Sequence, residues 1–135
     1  MTVVFYSFYD FFIKLSSGKI NDGLNGLIIN SVSAIVMLVY VMYTRVSGEN
    51  PFQFTKEGLS YSVLGGVVIG ITTITFIKLF STGINLSIAS PAVRIGSVVL
   101  ISLLGILILK ENVTPKYIFG SVLALSGMYL IMFSK

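Results

Sequence analysis

Apolar residues run along this chain in five long blocks, each closed by a short polar stretch. The blocks predict helices at residues 2–16, 24–45, 58–80, 87–109 and 117–133. The first closes at Ser16-Ser17-Gly18-Lys19, and Asn21-Asp22-Gly23 is a turn signal before the second. The third ends at Ser81-Thr82-Gly83, and Pro115 stands where a helix tolerates proline, before or within its first turn. The longest connection, 46–57, holds Gly48, Asn50 and Pro51 and reads as a surface loop. The three middle blocks have the ~20 residues that cross a bilayer, while the first and last are at or below the short end of that range. The pattern predicts an all-α integral membrane protein of five transmembrane helices in a single domain, 1–135.

Charge inside the blocks points to chemistry. Arg94 lies about two turns into the fourth helix, where a charge costs roughly 2.5–3.5 kcal/mol on insertion scales. Ser87, Ser90, Arg94 and Ser97 recur at intervals of three and four and share one helical face, the arrangement of a polar pathway wall. In the first helix Tyr6, Asp10 and Lys14 are spaced by four and form a ridge. An intramembrane carboxylate such as Asp10 faces a cavity or a partner as a rule. An Asp10–Lys14 ion pair with a snorkelling lysine is the plainer reading, and Tyr6 also suits an interfacial aromatic belt. Thr72, Thr73 and Thr75 in the third helix can bond back to the preceding turn, and Lys78, a turn from its end, can snorkel. Lys14, Lys78 and Arg94 fall in the same half of the predicted bundle with Asp10 deeper, so inward-facing they would give a cationic vestibule suited to an anionic group. The predicted pathway is therefore Tyr6, Asp10, Lys14, Lys78, Ser90, Arg94 and Ser97, on helices one, three and four, with the second helix peripheral.

Composition narrows the classes. The chain is 55% hydrophobic and only 10% charged, with mean hydropathy +0.96, against about 25% charged residues in a soluble domain. It contains neither cysteine nor histidine, which removes disulfides, Cys/His metal sites and imidazole catalysis. Asp10 alone of the five carboxylates falls in an apolar run, so an enzyme is not expected, and neither a metal nor a cofactor is called for. The net charge of +4 comes from basic residues scattered near helix ends, not from a stripe with interleaved aromatics, so nucleic acid is not the expected partner. The start of the chain lacks a basic region and an A-x-A-like site, and does not read as a signal peptide.

The last three helices resemble the drug/metabolite transporter superfamily, and specifically a single EamA-type repeat. The resemblance rests on GSVVLISLLGILILKE, ending at Glu111, followed by a turn and FGSVLALSGMYLI with Gly120 and Gly127 seven apart. The first helix ending in FFIKL, with Lys14, and the helix–loop spacing across nearly all of the chain also match. The resemblance implies one repeat of a drug/metabolite transporter fold, in the cytoplasmic membrane of a bacterium or archaeon. Ten-helix members carry two such repeats, the second inverted, whereas the related small multidrug resistance proteins have four helices and work as antiparallel dimers. Aligned on Lys14, the proton-coupling glutamate of the latter falls on Tyr6, and their fourth-helix serine becomes Arg94, so proton-coupled export of cationic drugs does not carry over.

The expected function is secondary transport of a small metabolite by alternating access between two inverted protomers. The alternative is an accessory or structural membrane subunit, or half of a heteromeric transporter or lipid flippase. Five crossings put the two ends of the chain on opposite sides, so a lone repeat needs an inverted partner in a second copy. Cations divide as four (Arg45, Lys56, Lys110, Lys116) against two (Lys19, Lys135), or four with Lys14 and Lys78, a small enough imbalance to permit insertion both ways. The expected assembly within the lipid bilayer is an antiparallel homodimer in contact through Gly120 and Gly127, where small residues let backbones approach.

Overall fold

The structure is a computed structural model that describes residues 1–133, leaving aside the side chain of Met132. Lys135, counted above among the cations, lies outside the described residues. The elements are α1 (Thr2–Ser16), α2 (Asp22–Val46), α3 (Lys56–Ser81), α4 (Leu86–Leu107) and α5 (Pro115–Phe133). Among the described residues every element longer than an isolated bridge is a helix. The bridge joins Ser17 and Ile20 across the α1–α2 turn, where Gly18 takes φ 76°. By length and composition α2, α3 and α4 are each able to cross a membrane, whereas α1 has 15 residues and the apolar stretch of α5 is Pro115–Ile131. This is an all-helical protein with the helices of a membrane-embedded one.

Local chemistry sets the helix ends and moves several of them by two residues from the apolar blocks. The Asn21 side chain accepts from the N–H groups of Gly23 and Leu24 at 3.0 and 3.3 Å, so α2 begins at Asp22 and not at 24. Thr55 Oγ1 accepts from Gly58 N at 3.1 Å, and α3 begins at Lys56 and not at 58. Thr114 does the same for Tyr117 N at 3.3 Å, with Pro115 as the first residue of α5. The fourth helix stops at Leu107 and not at 109. There Leu109 N reaches back to Leu104 O at 3.4 Å and Glu111 N to Gly105 O at 3.1 Å, wider turns than the α-helix makes, while Lys110 takes φ 54°. Glu111 folds onto Gly105, where a Cβ would stand 2.7 Å from its Oε2, so glycine leaves the room.

The chain folds as two compact units, Met1–Gly83 and a second that starts at Ile84. In the first, α3 packs against both α2 and α1. The buried face of α3 is Thr73, Phe76, Ile77 and Phe80, spaced to fall on one side of the helix. Phe76 and Phe80 meet edge to face with centroids 4.7 Å apart, and Ile13 of α1 is buried as fully. On α2 the crossing point with α3 is Gly26, where a Cβ would meet Ile74 Cγ1 at 3.4 Å. All these buried positions lie where α1 stops, α2 starts and α3 stops; between residues 31 and 69 nothing is buried. Lipid tails are as apolar as leucine, so helices in a bilayer can present such surface at little cost. In the second unit α4 packs on α5, and the hydroxyls of Ser102 and Tyr117 hydrogen-bond across the pair.

Candidate polar site

Within the first unit the ridge predicted on α1 divides by exposure. Asp10 is 4% exposed, one turn from the fully covered Ile13, whereas Tyr6 is 43% exposed and packs edge-on to Tyr9 at 5.7 Å. A carboxylate loses a large hydration energy when it is buried, and keeps its place only when other groups engage it. Tyr6, Asp10 and Lys14 are each engaged in this way, and none is without a partner.

Lys14 is half-buried at the last turn of α3. Its Nζ lies 3.4 Å from the carbonyl oxygen of Phe80 and 5.6 Å from the centre of the Phe80 ring. The last carbonyls of a helix carry partial negative charge and lack intrahelical donors, so an ammonium there gains from both the dipole and the ring. Lys14 is thus tied to α3 across 66 residues of sequence. Lys78, also of α3, is exposed and lies off the Thr73–Phe76–Ile77–Phe80 face, so α3 does not bring it to the packed side with Lys14.

Two more polar links close the same end of the unit. Asn25, 3% exposed, donates from Nδ2 to Ser16 Oγ at 2.9 Å and joins α2 to α1. Ser81 Oγ donates to Asp22 Oδ1 at 2.8 Å and joins α3 to α2. Thr73, 2% exposed, bonds back to Ile69 O at 2.8 Å, and Thr72 and Thr75 likewise serve the preceding turn. Asn25 is the polar residue that spacing did not single out. Its signal was there: an amide one turn into an apolar run, next to a glycine.

In the second unit, Ser90 and Arg94 are half-buried on α4 and each has a partner, while Ser97 is exposed and donates to Arg94 O at 2.8 Å. Pro91 stands inside α4 between them and offers no N–H to the carbonyl of Ser87, a loosening that membrane helices tolerate where other groups take over. On α5 a Cβ added at Gly120 or Gly127 would meet nothing within 4 Å, and the same holds for Gly66 and Gly70 of α3. Among the described residues no cluster of three His, Cys, Asp or Glu could hold a metal ion.

The class these observations define is an all-helical, membrane-type chain with a buried carboxylate on its first helix. Over all 135 residues it is 27% identical to an uncharacterized protein of Methanocaldococcus jannaschii, of which it covers 93%. No family profile matches the sequence, and no solved structure matches it.

Proposed function

We propose that this chain is a secondary transporter of a small metabolite bearing an anionic group, a single EamA-type repeat of the drug/metabolite transporter kind that works as one of two inverted copies. The observation that carries the reading is Asp10, an ionisable side chain only 4% exposed on an apolar helix. Charged groups at membrane depth are costly and mark substrate or ion pathways when they occur. Arg94, half-buried two turns into a membrane-length helix, adds a cation that suits a carboxylate or phosphate. Alternating access between inverted repeats uses sites of this sort near the midplane. With five crossings, one copy supplies one repeat, and a second copy of opposite orientation supplies the other. The open space beside Gly120 and Gly127 on α5 leaves room for a close helix approach between copies.

The test is uptake by proteoliposomes of labelled metabolites grouped as anions, neutral solutes and cations. Anions should enter above the protein-free background. Arg94→Ala and Asp10→Asn should each abolish that flux with the protein still folded and inserted, and Arg94→Lys should restore it poorly because lysine offers only a point charge. Absence of flux for every group, or wild-type flux in both variants, would overturn the reading.

A further inference from the structure

Between α1 and α2, wholly inside the first unit, runs an open groove of about 470 Å³ lined by Tyr9, Phe12, Ile13, Ser16, Asn25 and Ile28, among others. Its lining is apolar apart from Tyr9 and the pair Ser16 and Asn25, which hydrogen-bond to each other where α1 ends and α2 begins. Apart from the Tyr9 phenol, the lining has no ionisable group. Asn25 is more than nine-tenths buried, and its Nδ2 is used on Ser16 Oγ. Its Oδ1 accepts no hydrogen bond among the described residues, and one N–H of the amide is also free. No buried side-chain oxygen or nitrogen among the described residues is both sealed and unpartnered, so this carbonyl is not sealed, and Asn25 is one of the residues that line the groove. A buried amide half used in this way has a penalty that a ligand hydroxyl, donor and acceptor at once, removes.

Position adds the second half of the argument. Because α2 is a membrane-length helix that starts at Asp22, Asn25 sits one turn from its end, at interface level. From there the groove runs along Phe12, Tyr9, Ile28 and Ile29 toward the apolar middle. Polar at the interface and apolar inward is the gradient of an amphiphile lying in a leaflet. A charged head would find no counter-ion in the lining, and a bare hydrocarbon would leave the amide unanswered. We infer that this groove is a lateral binding site for a neutral, single-chain amphiphile with a hydroxyl head, which enters from the bilayer and pairs with Asn25. The site is independent of the transport reading.

A diazirine derivative of 1-hexadecanol is the probe, used with the full chain in phosphatidylcholine vesicles, a lipid without a hydroxyl donor. Labelling mapped by mass spectrometry should saturate and concentrate on the groove residues. Unlabelled 1-hexadecanol should compete better than hexadecane by a factor of about five, the worth of one neutral hydrogen bond. Ile28→Trp fills the groove at a position 45% exposed, away from the α2–α3 crossing, and should remove most of the labelling. Asn25→Leu should erase the preference for the alcohol; if that variant does not fold, Ile28→Trp and the hexadecane competition still decide. Labelling that rises linearly and spreads over the outward residues of α2, equal competition by hexadecane, or indifference to Ile28→Trp would each overturn the inference.

Discussion

Lys14 shows how one side chain can be read two ways and then located. Its spacing from Asp10 and Tyr6 places it on their ridge, and its position near a helix end makes snorkelling equally natural. The structure puts its Nζ at the α3 terminus, against Phe80 by both carbonyl and ring. Lys14→Met keeps the length of the side chain and removes the charge. It should cost about 0.5–2 kcal/mol of stability, read as a lower Tm in detergent, while Lys78→Met at its exposed position should leave the Tm unchanged. Equal behaviour of the two would mean that the Phe80 contact contributes nothing. The ridge itself was legible because residues four apart in a helix share a face by geometry. The Phe80 partner was not, because 66 residues separate the two and nothing local in either segment encodes the meeting. Asn25 is legible in part: an amide one turn into an apolar run shows in the sequence, but its partner Ser16 lies on another helix and does not.

At the level of elements, the apolar blocks located all five helices, and the ends moved wherever a cap outweighed hydropathy. Asn21 and Thr55 drew charged residues into the first turns of α2 and α3, and Lys110 and Glu111 closed α4 two residues early. Helix pairing was less legible, since small residues occur throughout these helices and nothing local marks those that, like Gly26, meet a neighbouring helix. At Gly26 a Cβ would sit in ordinary contact with Ile74 and Ile77, at 3.4 and 3.6 Å. Gly26→Ala should therefore be neutral or stabilising by up to about 1 kcal/mol, the gain in helix propensity. Gly26→Leu drives a branched side chain into the same contact and should cost about 1–3 kcal/mol. Thermal unfolding of the pair checks this, and a leucine as well tolerated as alanine would show that α2 and α3 do not meet there. Gly66 and Gly70, with nothing near a Cβ, should accept alanine without loss.

For the whole molecule the central claim is an inverted pair of identical chains. The proposal rests on reading all five helices as crossings, an odd number, and on the small difference in cations that this reading gives between the two sides, since a strong positive-inside bias would force a single orientation. Nothing in the pattern of apolar blocks encodes which faces meet in such a pair, because exposed apolar surface suits lipid and a partner alike. Orientation, in contrast, is open to direct measurement. Two reporters, one active only in the cytoplasm and one only outside it, are fused separately after Lys135 and expressed from the same promoter. Both fusions should be active, and moving cations from one set of loops to the other, for instance Lys19→Ser together with Asn112→Lys, should silence one and strengthen the other. Activity of a single reporter would contradict the account, because a chain of one orientation cannot supply its own inverted partner.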